Sequence, residues 1–196
     1  MTELAVFRSF AADLATEDDG RTITGRCVPY GEVATVADGD GPPYRERWVP
    51  GAFRRIVRAP SRTMFNYAHR EGLADLIGHA VGLEERPDGL HATFRALPGL
   101  VGDQALGLIN SGVATGLSVN VWVAARGSRT ADDGVVERTL AARLPHVALT
   151  PEPAYAGATV TAVRHALALP PEDATGKNVA AVLDYVDAAR AKYAAS

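Results

Sequence analysis

The 196-residue chain is 47% hydrophobic and 22% charged, with a formal net charge of −3 at pH 7, which suits one globular domain with a real core and short tails. The acidic balance argues against a general nucleic-acid binder, although it leaves a local basic patch open. The single Cys27 rules out an internal disulfide, and no apolar run is long enough to span a membrane.

Residues 1–8 mix acid and base too closely for a signal peptide, so a soluble protein made in a reducing cytoplasm is expected. The five histidines show no HExxH or other tight ligand spacing, so neither metal nor cofactor is expected. Ala174-Thr175-Gly176-Lys177-Asn178 imitates the end of a phosphate loop, but Pro171 stands where the earlier glycine is needed.

In chain order, alternation predicts a strand over 21–28, closed by Pro29-Tyr30-Gly31, then a loop over 37–43 and an edge strand over 44–49. A helix is expected over 50–57, with Pro50 in its first turn and Phe53, Ile56 and Val57 on one face. Residues 63–68 read as a strand ending at His69, with a turn at Arg70-Glu71-Gly72. A histidine between a strand and a loop has a rigid backbone and an accessible ring, as functional groups need. His79 and His91 fall inside the strands expected over 76–83 and 90–94, joined by a hairpin loop over 84–89, and read as packing or surface residues.

Residues 100–111 carry Val101, Ala105, Leu108 and Ile109 on one helical stripe, with Gly112 as the C-terminal stop. The helix delivers the chain to a strand over 117–123. There Leu117, Val119, Val121 and Val123 alternate with Ser118, Asn120 and Trp122, so Ser118 stands on the face opposite the aliphatic row. A polar loop over 124–134 precedes a strand over 135–150, broken at Pro145 and containing His146. A proline-fixed turn over 151–158, a last strand over 159–163 and an Ala-rich amphipathic helix over 178–195 complete the chain. The expected division is a domain over 1–168 and a linker with helix over 169–196. The helix would pack on the domain, pair with a second copy as a homodimer, or dock on a partner protein.

The ordered set Gly25-Arg26-Cys27-Val28-Pro29-Tyr30-Gly31, Val49-Pro50-Gly51-Ala52-Phe53, Asn66-Tyr67-Ala68-His69, Ile77-Gly78-His79-Ala80-Val81 with Asp88-Gly89-Leu90, Gly116-Leu117-Ser118-Val119 and Pro153-Ala154-Tyr155 resembles the prohead proteases of tailed bacteriophages. The match spans residues 20–163. The resemblance implies an α+β protein whose mainly antiparallel β-barrel core is surrounded by a few helices, similar to the herpesvirus assembly proteases. It implies Ser118 and His69 as the catalytic pair, with no cofactor. It also implies that the chain trims the scaffolding portion of the major capsid protein, and itself, inside a procapsid in the host cytoplasm, without nucleic acid or membrane as partner.

A serine hydroxyl attacks a peptide carbonyl only when an adjacent base takes its proton, and a third group normally holds that base in its productive tautomer. His146 is the candidate third member, with Glu71 and Asp75 as alternatives close to His69. Many prohead proteases resemble one another in carrying a carboxylate where this chain has His146; a histidine there is similar to the Ser-His-His set of the herpesvirus enzymes. Arg126 and the backbone amides beside Ser118 are candidate oxyanion donors. Two rivals stand beside the peptidase. One is a non-catalytic assembly factor retaining the fold. The other is an esterase, disfavoured because Gly116-Leu117-Ser118-Val119-Asn120 lacks the second glycine of a GxSxG elbow.

Overall fold

The computed structural model describes residues 4–11, 14–16, 20–38, 41–70 and 72–151. The chain opens with β1 (Leu4–Ala11), the short β2 (Ala15–Thr16) and β3 (Thr22–Pro29). Next come β4 (Ala34–Val36), β5 (Tyr44–Trp48), β6 (Met64–Tyr67) and the long hairpin of β7 (Leu76–Arg86) with β8 (Gly89–Ala96). Helix α1 (Leu100–Asn110) leads into β9 (Gly116–Val123). After it follow β10 (Ser128–Thr130), β11 (Val136–Arg138) and β12 (Ala141–Thr150).

These strands form an eight-stranded sheet in the order β1-β9-β12-β6-β7-β8-β3-β2 and a four-stranded sheet in the order β10-β11-β5-β4. The larger sheet curls into a half-barrel. Its core side is filled by apolar side chains from alternate positions, such as Leu90, Ala92, Phe94 and Ala96 of β8 and Leu117, Val119, Val121 and Val123 of β9, as a period of two dictates. Phe65 on β6 stacks on Phe94 of β8 with ring centroids 4.3 Å apart, and Leu117, Val119 and Val121 of β9 are fully buried in the same core. Helix α1 packs Ala105, Leu106 and Ile109 into that core. Gly112 then takes the left-handed conformation (φ 71°), and the amides of Val113 and Ala114 both bond the carbonyl of Leu108, ending the helix and aiming the chain into β9.

The two sheets are tied by a buried ionic network. Arg8 of β1 donates to both carboxylate oxygens of Glu46 on β5, and Arg138 of β11 donates to Glu46 Oε2 at 2.8 Å. Tyr44 and Asp38 close the network, Asp38 accepting from Arg8 at 2.9 Å. Burial works against the Arg8 charge, but the carboxylates of Glu46 and Asp38 outweigh it and hold the guanidinium firmly protonated.

Several expectations are corrected. Among the described residues the larger sheet is an open half-barrel, with β1 not paired to β2, and one α-helix accompanies it. Segment 50–57 is no α-helix: Gly51 sits at φ 86°, which breaks helical hydrogen bonding, and only a 3₁₀ turn, Ile56–Arg58, follows. Phe53 is nonetheless fully buried, against Trp48 at 4.9 Å. The strand expected at the edge, β5, is interior, because β11 pairs with it in parallel on the side away from β4. Residues 135–150 form two strands in different sheets. The break falls at Thr139 and Leu140, while Pro145 is absorbed by a register shift between Arg143 and His146. The 84–89 loop tightens to a two-residue turn, with Arg86 paired to Gly89. The strand over 159–163, the helix over 178–195 and the boundary at 168/169 lie outside the described residues.

Candidate active site

Three adjacent strands of the larger sheet carry the site. Strand β12 lies between β9, with which it is antiparallel, and β6, with which it is parallel. The register sets Ala148 opposite Ser118 and His146 opposite Asn120, while on its other side His146 pairs with Met64. Side chains two residues apart share a face. Ser118 and Asn120 of β9 therefore share one face with His146 and Ala148 of β12, opposite the aliphatic row of β9.

His69 reaches this face by an unusual turn at the end of β6. Ala68 and His69 both have positive φ, 45° and 61°, and the Arg70 amide donates to the Tyr67 carbonyl at 2.8 Å. Two successive left-handed residues across such a bond make a type I′ turn, which normally calls for Asn and Gly. Here an alanine and a histidine occupy it at a cost of about 1–2 kcal/mol each. Two bonds outside the turn hold it: Asn66 Nδ2 donates to the Arg70 carbonyl at 2.9 Å, and the Ala68 amide donates to the Leu149 carbonyl of β12 at 3.3 Å.

The result is a hydrogen-bonded chain. His69 Nε2 lies 2.5 Å from Ser118 Oγ, and His69 Nδ1 lies 2.8 Å from His146 Nε2. With Ser118 donating to Nε2, the N–H of His69 is on Nδ1 and points at His146, so His146 accepts through Nε2 and keeps its own proton on Nδ1. Ser118 Oγ has a second acceptor, the Arg8 carbonyl at 3.2 Å, which is the weaker partner by distance. Ser118 and His146 are only 3% and 4% exposed, so the half-buried His69 is the solvent side of the chain. Burial, and secondarily the neighbouring His146, lower the His69 pKa from 6.5 to about 4. At neutral pH the imidazole is therefore uncharged and able to accept the serine proton.

The structure thus brings Ser118, His69 and His146 together and leaves the other candidates apart. Asp75 faces Arg70 at 3.7 Å rather than an imidazole, and Glu71 lies outside the described residues. His91 is bonded to Asp88 at 2.9 Å beside the β7–β8 turn, and His79 lies on β7 between Met64 and Arg95. Arg126 lies beyond the end of β9, and the five strand steps from Ser118 to Val123 alone span about 17 Å. Three contributors escaped sequence reasoning. The Arg8 carbonyl is supplied by β1, a strand no motif announced. Asn66 belongs to the Asn66-Tyr67-Ala68-His69 run and ties its turn. Asn120 is 5% exposed, and its Oδ1 has no hydrogen-bond partner. Its position two residues after Ser118 was the available signal.

A serine hydroxyl joined to an imidazole that is joined in turn to a second polar ring is the constellation of serine-nucleophile hydrolases. The chain belongs to the caudovirus prohead serine protease family, whose model matches residues 10–170. Among solved structures it is similar to the bacteriophage T4 capsid assembly protease, gp21, over 76% of this chain and 95% of that one, at 9% identity and a TM-score of 0.40. No curated protein matches it.

Proposed function

We propose that this chain is a serine endopeptidase that cleaves the scaffolding portion of the major capsid protein, and itself, during maturation of a phage procapsid in the host cytoplasm. The observation that carries the proposal is the continuous Ser118–His69–His146 hydrogen-bond chain in a member of the prohead protease family. The same proposal takes the curled half-barrel sheet as herpesvirus-protease-like.

Ser118 Oγ attacks the scissile carbonyl carbon while its proton passes to His69 Nε2. The imidazolium so formed keeps its Nδ1–H on His146, and then returns the Nε2 proton to the leaving amine as the tetrahedral intermediate collapses. Water, deprotonated by the same nitrogen, releases the acyl group from Ser118. His146 orients His69 but, being uncharged, stabilises the imidazolium less than a carboxylate does, so turnover is slow. Slow turnover is tolerable for an enzyme enclosed with its substrate.

The test is coexpression with the major capsid protein of the same phage, read by intact mass. Wild type should shorten the capsid protein, and Ser118→Ala should leave it whole. Capsid protein left whole by both, in particles that still assemble, would replace the peptidase with a non-catalytic assembly factor.

A further inference from the structure

A cleft of 220 Å³ opens between the segment after β5 and the start of β12, and Arg55, Arg62 and Arg143 line it. Its walls are unlike the rest of this acidic chain. From residue 47 to 70, and again from 138 to 151, no Asp or Glu occurs, while Arg54, Arg55, Arg58, Arg62 and Arg143 are all exposed. Elsewhere Arg21, Arg26, Arg47, Arg86 and Arg129 each face a carboxylate. Among the described residues no carboxylate pairs with any of these five, of which Arg55, Arg62 and Arg143 line the cleft. Arg143 is instead held over the Trp122 ring at 5.3 Å, which fixes its guanidinium without neutralising it.

The basic cleft does not stand alone. Pro145 is a wall of it and also of a second cleft, of 300 Å³, lined by Met64, Leu73 and His146. Three strand steps lead from Arg143 to His146, about 10 Å. An extended peptide lying along β12 therefore passes from the arginines to the candidate active site within a few residues.

We infer that this cleft is a subsite for acidic side chains of the substrate polypeptide, a few residues from the bond that is cut. The inference rests on the peptidase function proposed above. Three arginines lining one small cleft suit one or two carboxylates, which guanidinium groups bind in charge-assisted, bidentate fashion. A nucleic acid needs a longer track of positive charge or stacking platforms along its strand, and this cleft supplies neither.

The test uses the full chain carrying Ser118→Ala, so that no probe is cut. Fluorescence anisotropy is read with fluorescein-labelled oligoglutamate, oligoglutamine and single-stranded oligothymidylate. Oligoglutamate should bind, more weakly as salt rises, and oligoglutamine should not. Adding Arg55→Gln, Arg62→Gln and Arg143→Gln together should weaken oligoglutamate binding at least about tenfold, with the thermal melt unchanged. If the triple variant melts early, the three single variants, each expected to lose part of the affinity, carry the test. Oligoglutamate binding that survives the substitutions, or that oligoglutamine matches, overturns the subsite. Tighter binding of oligothymidylate, lost in the triple variant, overturns it in favour of a phosphate-backbone site. Because binding is read without cleavage, an inactive wild-type enzyme would be seen separately, in the capsid-protein assay.

Discussion

At the scale of single residues, the burial of His69 sets the pH behaviour. Its pKa of about 4, against 6.5 for a free imidazole, places the acid limb of Ser118 reactivity well below the usual position. The rate of Ser118 labelling by a fluorophosphonate should stay level from pH 7 to below 6 and fall only towards pH 4; a midpoint near 6.5 would show His69 solvated. The unfolded chain takes up this proton more readily than the folded one, so its contribution to stability is complete above pH 6.5 and is lost as pH falls through 6.5 towards 4. The turn that presents His69 makes a second prediction. Ala68 holds a left-handed φ of 45°, so Ala68→Gly relieves strain of about 1–2 kcal/mol while adding about 0.5–1 kcal/mol of unfolded-state entropy. The variant should melt slightly higher in calorimetry, and a lower melting temperature would mean that the methyl group contributes more than its backbone costs.

Among the elements, the junction of the two sheets carries a buried charged side chain beside the apolar packing of Trp48. Glu46, 1% exposed, accepts from Arg8 of β1 and Arg138 of β11. Removing it leaves two buried guanidinium groups facing each other, and Glu46→Ala should cost about 3–5 kcal/mol in urea unfolding. A loss below about 1 kcal/mol would show that water or Asp38 compensates. This junction was illegible in the sequence, where residues 44–49 alternate like any edge strand. What buries Glu46 is the parallel pairing with Val136–Arg138, 90 residues later, which no local pattern encodes. Segment 50–57 failed for a local reason: its apolar spacing is helical, but Gly51 prefers the left-handed region. The β7–β8 hairpin, α1 and β9 were legible because period and turn residues agree there. Ser118 and His69 stood out through the short motifs around them. The arginine-lined cleft was not, since its two walls lie about 80 residues apart and a net charge of −3 conceals a local surplus.

For the molecule as a whole, the placement of β12 between β9 and β6 governs when the Ser118–His69–His146 chain can form as the protein folds. His69 and His146 are 77 positions apart, and His69 and Ser118 are 49 apart. The parallel β6–β12 ladder has no short connection to nucleate it, so it bears a large loop-closure entropy and forms slowly. A chain still emerging from the ribosome, with residues 1–140 made, has its serine and first histidine but no strand to bring them together. Refolding from urea should therefore restore fluorophosphonate labelling and the fluorescence of Trp122, on β9, with one shared rate constant. Labelling that returned first would mean that Ser118 and His69 meet without β12. The Ser118–His69–His146 chain is thereby withheld until the polypeptide has been made through β12, a delay that follows from the order of three strands.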